Sequence, residues 1–183
     1  GMKVTAITRR KDPIIPFDVG GIKHCDSMTL EAIGESFKVY RTLNTWWWGT
    51  RIARWVYLPI GYRMGICIVS GMTLYPGFEY HYGAIVTGCT NFCDKILLVD
   101  DALGAEELAR VMQDLIQKAS PVHAFHFSKP DAHLAPYSAK YPRALKTGRS
   151  GRLIINATFD PTWPPELIPS RVSFETSIPK EIQ

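Results

Sequence analysis

The sequence predicts an α/β fold in three layers, with helices on both faces of a mostly parallel sheet. Two apolar runs, residues 95–101 and residues 151–158, have the length of strands and are rich in branched side chains. Neither run alternates with polar residues, which is typical of strands buried on both faces by helices. Functional groups in such sheets gather where strands end, so Asp100 and Asp101 are expected at one sheet edge.

The period of the apolar residues predicts the other elements. The predicted strands are residues 3–9, 54–60, 64–70, 96–99, 121–127 and 152–158, and the predicted helices are residues 27–43, about 76–88 and 105–118. The first helix has an apolar stripe formed by Leu30, Ile33, Phe37, Tyr40 and Leu43. The order of strand 96–99, helix 105–118 and strand 121–127 predicts a right-handed parallel crossover. Residues 128–151 are expected to form a long loop.

Composition excludes several classes of protein. The chain has 183 residues, of which 46% are hydrophobic and 21% charged, as in one globular domain or one domain with an appended piece. A net charge of +4 is too weak to indicate nucleic-acid binding. No apolar run reaches the roughly 18 to 20 residues that span a bilayer, and the N-terminus lacks a secretory signal. We therefore expect a cytoplasmic protein without membrane contact.

Metal-binding patterns are weak. Cys89 and Cys93 have neither the usual zinc spacing nor a second pair, so buried thiols and no metal are expected, although His81, His123 or His126 could supply ligands. Asp100 and Asp101 also suit a magnesium or phosphoacceptor site, but a turn before the following helix is favoured.

A second group of residues is basic and is interrupted by glycine. Five cations and no anions occur within residues 140–152, and Lys146, Arg149 and Arg152 are candidate phosphate ligands. A solvated loop is the alternative. Three adjacent indoles, Trp46 to Trp48, cannot all face one way, so at least one is expected to be exposed or at an interface.

Five motifs together resemble the UbiD decarboxylases, the family of 3-octaprenyl-4-hydroxybenzoate carboxy-lyase. In chain order, the motifs are VTAITRRKDPI at residues 4–14, YPG at 75–77, KILLVDD at 95–101, LAP at 134–136 and GRLIINAT at 151–158. They occur in the family's order across nearly the whole chain. The sequence departs from the family pattern at Ala102, where a further acid is common, and at Arg152 and Asn156, which replace the common Lys and Asp.

The resemblance implies reversible decarboxylation of an aromatic or α,β-unsaturated acid on prenylated FMN in the complete enzyme. It also implies that this chain is only the C-terminal portion. Residues 1–26 would be a remnant, a short strand-rich edge, of the flavin-binding barrel domain, and residues 27–183 the C-terminal α/β domain. Because the family's Glu–Arg–Glu network and its metal and flavin-phosphate ligands lie upstream, no catalytic residue and no bound prenylated FMN are expected in this chain alone.

By position against the motifs, four residues resemble those that line the family's substrate pocket: Ile22, Thr90, Phe92 and Leu134. Ordinary core or loop positions are the alternative for all four. Two classes of function follow. The chain is either a C-terminal domain or small subunit of a UbiD-like (de)carboxylase, inactive alone, or a non-catalytic binding or assembly module on the same fold. The expected partners are a second copy of the chain and a separate catalytic subunit or missing upstream domain.

Overall fold

A computed structural model describes residues 3–15, 26–46, 50–59, 65–90, 92–100, 108–128, 132–133 and 149–169. The helices are α1 (Asp26–Trp46), α2 (Glu79–Cys89) and α3 (Leu108–Lys118), with a 3-10 turn at Pro165–Leu167. The strands are β1 (Ala53–Tyr57), β2 (Ile66–Gly71), β3 (Lys95–Val99), β4 (Phe125–Phe127), β5 (Ala132–His133), β6 (Arg149–Ser150) and β7 (Leu153–Ala157).

Five strands form a mixed sheet in the order β1-β2-β3-β7-β4. The three central strands, β2, β3 and β7, are parallel, and β1 and β4 pair antiparallel at the two edges. The strands β5 and β6 form a separate two-stranded ladder within the segment that was predicted to be a long loop. The predicted α/β class is therefore confirmed, with parallel pairing confined to the centre of the sheet.

Helices cover both faces of the sheet, as the unbroken apolar run in β3 predicts. Ile96 and Leu98 face a core shared with α1 and α2, whereas Leu97 and Val99 face a second core shared with α3. Successive side chains of a strand point to opposite faces, so a strand between two helical layers must be apolar at every position. This arrangement confirms the three layers.

One predicted connection is wrong. Strand β4 pairs antiparallel with β7, so β3, α3 and β4 do not form a parallel crossover. The physical reason is the direction of α3: its last residue, Lys118, forms an ion pair with Asp100, which directly follows β3. The chain therefore enters β4 from the same edge of the sheet at which β3 ends, and it must run in the opposite direction.

The predicted strand at residues 3–9 is also wrong, because residues 3–15 have no regular secondary structure. Val4, Ile7, Ile14 and Ile15 are exposed there. A strand needs a neighbour for its backbone N–H and C=O groups, and within the described part of the chain this segment has none.

Helix α1 buries one side of its predicted stripe, with Tyr40 and Leu43, and the neighbouring face that carries Ala32 and Val39. Ala32, Val39 and Leu43 pack into the core with the partly buried Tyr40. Leu30, Ile33 and Phe37 belong to the predicted stripe but are exposed. The helix therefore has two apolar faces, of which the fold uses one. On α3, similarly, Val111 is buried whereas the apolar residues Met112 and Ile116 are exposed.

Candidate functional site

The carboxyl ends of β2, β3 and β7 meet at one edge of the sheet and form the floor of an open cleft of about 1000 Å³. We call this the carboxyl-edge cleft. Charged and polar side chains in or directly after β1, β2, β3, α3 and β7 line it, and these include Arg54, Thr73, Asp100, Arg110, Asp114, Lys118, Thr158 and Asp160. Polar groups gather at this edge in parallel sheets because the strands end there and the loops begin.

Lys118 occupies the centre of the charged network in the cleft. Its ammonium pairs with the Asp100 carboxylate and lies 3.4 Å from Asp114 Oδ1. It also lies 4.4 Å from the centroid of the Phe159 ring, within cation–π range. The side chains of Lys118 and Asp114 are 6% and 2% exposed, so this ion pair is largely withdrawn from water.

Asp100, which directly follows β3, contacts the edge strand β1, the end of β7 and the end of α3. Its Oδ2 accepts a hydrogen bond from the Phe159 N–H at 2.9 Å, just after β7, and its backbone carbonyl accepts one from the Arg54 guanidinium at 3.1 Å. Its other carboxylate oxygen faces Lys118. Asp100 therefore ties β1, β7 and α3 to the end of β3, which is a structural role.

The wall of the cleft between β2 and β7 is held by hydroxyl groups. Thr73 Oγ1 lies 3.1 Å from Thr158 Oγ1, and the Thr158 hydroxyl donates to Asn156 Oδ1 at 2.7 Å. Below the cleft, the Tyr82 hydroxyl lies 2.7 Å from the Ile52 carbonyl and 2.9 Å from the Met72 carbonyl. Burial raises the pKa of Tyr82 well above its ordinary value, so Tyr82 acts here as a neutral hydrogen-bond donor.

A cluster of Glu79, Tyr80 and His126 lies beside the cleft, where the start of α2 meets the edge strand β4. His126 Nδ1 is 2.9 Å from the Tyr80 hydroxyl, and its Nε2 is 3.4 Å from Glu79 Oε1. Glu79 also lines a second cavity of about 430 Å³, which shares Lys118 and Thr158 with the carboxyl-edge cleft. The negative charge of Glu79 is favourable in the first turn of a helix, and the cluster fastens β4 to α2.

Two described cations of the cleft, Lys118 and Arg54, are not placed to bind the phosphate of a flavin. Lys118 is already paired with two carboxylates, and Arg54 donates to the Asp100 carbonyl. A phosphate bound here would have to displace carboxylates that the fold itself supplies. The ion pairs and hydrogen bonds of Lys118, Asp100 and Arg54 thus connect the described strand ends and α3 around the cleft, and within this network Asp114 Oδ2 is buried without a hydrogen-bond partner.

Thr90 and Phe92, two of the predicted pocket residues, lie at the opposite edge of the sheet, just before β3. We call this the amino edge. Thr90 is buried and its hydroxyl accepts a hydrogen bond from the Phe92 N–H at 3.2 Å, while Phe92 is partly buried against the core of α1 and α2. Their assignment to a substrate pocket stays a prediction.

Leu134 and Ile22 lie outside the described residues. The direction of β4 nevertheless matters for Leu134, because Phe127 at the end of β4 pairs with Leu153 at the start of β7. The chain thus leaves β4 at the amino edge, the edge that carries Thr90 and Phe92. In a parallel crossover it would have left at the other edge.

Arg152, a predicted phosphate ligand, is also at the amino edge. It is 5% exposed, and its guanidinium donates to the Cys93 carbonyl. Asp94 is 3% exposed and pairs with Lys95. Among the residues described, Arg152 Nε and Asp94 Oδ2 are buried without a hydrogen-bond partner. Lys146 lies outside the described residues, and of Arg149 only the backbone in β6 is described.

Two buried thiols lie behind this edge. A hydrogen bond with Cys93, together with burial, raises the pKa of the Cys67 thiol, which keeps it protonated. In the described ranges, no group of three or more His, Cys, Asp or Glu side chains is placed to hold a metal ion. Likewise, no helix within these ranges is long and apolar enough to cross a membrane.

The contacts of Lys118 and the Glu79–His126–Tyr80 cluster were not predicted from the sequence. Lys118 is the last residue of a strongly amphipathic helix, and Asp114 lies one turn before it. An acidic and a basic residue four positions apart on a helix indicate an ion pair, so the contact of Lys118 with Asp114 could have been predicted. His126 had no comparable signal, because Tyr80 is 46 residues away in the chain.

No protein-family model and no curated protein matches this chain. Its fold, in contrast, is similar to that of several solved UbiD-class decarboxylases. The UbiD-class enzyme HmfF from Pelotomaculum thermopropionicum superposes with a TM-score of 0.66 at 16% identity, over 80% of this chain and 31% of that one. A 3,4-dihydroxybenzoic acid decarboxylase from Enterobacter cloacae gives 0.65 at 13% identity, over the same shares.

A vanillic acid decarboxylase from Sedimentibacter hydroxybenzoicus gives a TM-score of 0.62 at 19% identity, over 80% of this chain and 29% of that one. This chain therefore has a fold found within UbiD-class decarboxylases, which confirms at the level of structure the resemblance seen in the five sequence motifs. It spans about 30% of the length of these enzymes.

Proposed function

We propose that this chain is the α/β domain or small subunit of a UbiD-like (de)carboxylase that acts on an aromatic or α,β-unsaturated carboxylic acid, and that it is inactive alone. The observation that carries the proposal is the superposition of 80% of the chain on about 30% of several UbiD-class decarboxylases. In one of these proteins, HmfF, the bound group is FMN, and an evolved dimeric form of it holds prenylated FMN. We assign the same cofactor to the complete enzyme and not to this chain.

The occupied cations support a cofactor site on another polypeptide or upstream domain. Lys118 and Arg54 are engaged by Asp100 and its neighbours, and Arg152 is buried against a backbone carbonyl. None of the three is thus placed to exchange its partner for phosphate without a cost in stability. Prenylated FMN supplies the electron sink for decarboxylation, and we assign the proton transfers to residues outside this chain.

The amino edge is the part that we propose closes over the substrate. Thr90 and Phe92, which resemble pocket residues, lie there next to the unpartnered polar atoms of Arg152 and Asp94. Buried polar atoms without a partner are rare in folded proteins and are often completed by water, an ion or a ligand. The vanillic acid decarboxylase is known in open and closed forms, so movement of an α/β unit over a substrate is consistent with one such relative.

We also propose that residues 3–15 complete a sheet of the cofactor-bearing partner. Residues 4–8 of the segment, VTAIT, resemble a strand of the family. The segment also exposes the apolar side chains of Val4, Ile7, Ile14 and Ile15. An added strand gains backbone hydrogen bonds from a sheet edge and buries alternate side chains.

The experiment that tests the proposal compares the chain alone with the chain mixed with a cofactor-bearing UbiD-like polypeptide. Each is produced together with a flavin prenyltransferase. The expected result is no flavin absorbance and no decarboxylation with the chain alone, and a stable complex with activity after mixing. A stoichiometric flavin on the isolated chain would contradict the proposal.

Deletion of residues 3–15 is the matched variant. We expect it to abolish formation of the complex while the α/β fold, followed by far-UV circular dichroism, is retained. A chain that neither binds such a polypeptide nor gains activity would favour the alternative, a non-catalytic binding or assembly module on this fold.

A further inference from the structure

The side chain of Arg152 holds the stretch of chain between α2 and β3 from outside. Residues 90 and 92–94 of this stretch, which we call the α2–β3 segment, include the predicted pocket residues Thr90 and Phe92. The Arg152 guanidinium donates to the carbonyl of Cys93, in the middle of the segment. Cys93 is fully buried and belongs to neither a helix nor a strand, so its carbonyl needs a partner that regular structure does not supply. Arg152 supplies that partner.

The backbone of Arg152 holds a second stretch, the exit from β4. The Ser128 N–H donates to the Arg152 carbonyl at 2.9 Å, which continues the antiparallel ladder of β4 and β7 by one pair. The return bond departs from the ladder, because the Arg152 N–H donates to Ser128 Oγ at 2.8 Å. In a regular antiparallel pair it would bond the backbone carbonyl of the opposite residue. The side chain of Ser128 therefore ends the ladder at Arg152.

The chain approaches β7 closely at this point. A Cβ atom added to Gly151 would lie 3.1 Å from the Ser128 carbonyl oxygen, closer than side chains normally come. Beyond Ser128 the chain continues towards Leu134, six positions later, which lies outside the described residues. Arg152 is thus bonded on one side to the segment that carries Thr90 and Phe92, and on the other to the stretch that leads to Leu134.

We propose that Arg152 is a positioning residue for the substrate pocket: its guanidinium and its backbone together fix the α2–β3 segment relative to the exit from β4. The proposal rests on the proposed function, because Thr90, Phe92 and Leu134 are pocket residues only in a UbiD-like enzyme. It assigns to Arg152 no contact with substrate, cofactor or phosphate. Arg152 acts through the residues that it holds.

The contacts of Arg152 favour a local role over a general one. The guanidinium has several donors, of which one bonds the Cys93 carbonyl, while Nε is buried without a partner in the described part of the chain. No described carboxylate depends on this cation. Loss of the side chain should therefore release the α2–β3 segment without breaking an ion pair elsewhere in the core.

The first measurement is amide hydrogen exchange, by NMR, on the full chain alone. In Arg152→Met the amides of Phe92 and Asp94 should exchange about tenfold faster relative to that of Leu98, because a charge-assisted bond that holds the segment is lost. Leu98 is a suitable reference, since it is 2% exposed in the middle of β3. This measurement needs no cofactor and no second polypeptide.

Arg54→Met is the matched control. The Arg54 guanidinium also donates to a backbone carbonyl, that of Asp100 at 3.1 Å, but at the opposite edge of the sheet. Its replacement should leave the amides of Phe92 and Asp94 unchanged relative to Leu98.

Ser128→Ala tests the second anchor and removes no buried cation, so it serves even if Arg152→Met fails to fold. It deletes the acceptor of the Arg152 N–H, and the Arg152 amide should then exchange several-fold faster relative to that of Leu98. Circular dichroism verifies that each variant is folded.

The second measurement is the kinetics of the assembled enzyme. Arg152→Met should raise KM about tenfold and leave kcat within about twofold, as expected when a pocket binds its substrate less well but reacts as before. Arg152→Lys should recover most of the loss, because an ammonium can still donate to the Cys93 carbonyl. Ser128→Ala should raise KM several-fold, and Arg54→Met should leave KM unchanged. A purely structural Arg152 would lower the amount of active complex and leave KM unaltered.

The two measurements separate the possible failures. Exchange of Phe92 and Asp94 that stays unchanged relative to Leu98 in Arg152→Met would overturn the proposal, since the segment would not be held by Arg152. Faster local exchange with an unchanged KM would also overturn it, because the segment would then not shape the pocket. Absence of activity with the native chain would be a failure of the proposed function and would remove the pocket with it, whereas the exchange result would still decide whether Arg152 anchors the segment.

Discussion

The two edges of the central sheet differ in how their buried charges are paired. At the carboxyl edge, Lys118 contacts Asp100, Asp114 and the Phe159 ring, and Asp100 also accepts the Phe159 N–H. At the amino edge, Arg152 Nε and Asp94 Oδ2 are buried without a hydrogen-bond partner in the described part of the chain. Asp114 Oδ2 at the carboxyl edge also lacks a hydrogen-bond partner, so the edges differ in their ion pairs. Lys118 is a buried partner of two carboxylates, whereas Arg152 donates to a carbonyl and Asp94 pairs with the largely exposed Lys95.

This difference favours a stabilising role for the carboxyl edge, where the buried Lys118 neutralises two carboxylates. At the amino edge the buried Arg152 guanidinium donates to a carbonyl, with no described carboxylate against it, and its Nε has no hydrogen-bond partner. A buried polar atom without a partner costs about 1–3 kcal/mol, and folded proteins tolerate such costs mainly where another molecule completes the contacts. The buried guanidinium is therefore the reason to expect recognition at the amino edge.

The largest expected effect is that of Lys118→Met, which would remove the cation from the network at the carboxyl edge. Removal of the ammonium leaves two carboxylates in a protein interior, one of which, on Asp114, is 2% exposed. We expect a loss of about 3–5 kcal/mol in the free energy of unfolding, the usual cost of removing one partner of a buried ion pair. Urea denaturation measures it.

Lys38→Met is the control, because Lys38 pairs with Glu35 on the surface of α1 and is 54% exposed. That change should cost no more than about 0.5 kcal/mol. Similar losses for the two variants would show that the Lys118 network is not effectively withdrawn from water, and the contrast between the two edges would fail.

Arg152→Met removes a buried cation at the amino edge, and it should lower the free energy of unfolding much less than Lys118→Met does. It removes one donor from the Cys93 carbonyl but leaves no described carboxylate without its counter-ion, and it also removes the orphaned Nε. We expect a change within about 1.5 kcal/mol in either direction. In the assembled enzyme the same variant should lower activity, which a purely structural Arg152 would not do.

The two edges are compared directly by the changes in the free energy of unfolding that Lys118→Met and Arg152→Met cause under identical conditions. A loss at Arg152 as large as that at Lys118 would mean that the buried guanidinium is a structural centre of the amino edge, and it would remove the support that this edge gives to a substrate pocket.

The central strands were predictable because their environment is simple. β3 and β7 are apolar at successive positions, and only burial between two helical layers explains such runs. The direction of β4 was not predictable, because it depends on where α3 ends in space. That position is set by the contact between Lys118 and Asp100, 18 residues apart in the chain.

The buried face of α1 was unpredictable for a different reason. Its two apolar faces have the same helical period, so periodicity cannot say which of them meets the core. The fold buries Ala32, Val39 and Leu43, with the partly buried Tyr40, and it leaves Leu30 and Phe37 outside. Of the candidate pocket, Thr90 and Phe92 came from the family resemblance, since no local pattern marks them.

The smallest expected effect concerns Asp160, which lines the same cleft as Asp100 but is held only by its neighbours in the chain. Its Oδ1 accepts hydrogen bonds from the Thr162 hydroxyl at 2.6 Å and the Thr162 N–H at 2.9 Å. These bonds, the hydroxyl first, hold the pKa of Asp160 below its ordinary value of about 3.9. The ionised form is therefore favoured in the folded chain.

The contribution of Asp160 to stability is thus present above its unfolded pKa and is lost as the pH falls through its folded pKa. Thr162→Val should raise the pKa of Asp160 part of the way to the ordinary value, because the backbone N–H remains as a donor. Carboxyl titration by NMR measures this shift, and Thr45→Val, whose hydroxyl contacts only backbone carbonyls of α1, should leave it unchanged. If Thr162→Val left the pKa of Asp160 unaltered while Lys118→Met raised it, Asp160 would belong to the long-range network of the carboxyl edge, and that network would extend further along β7 than the contacts of Asp100 indicate.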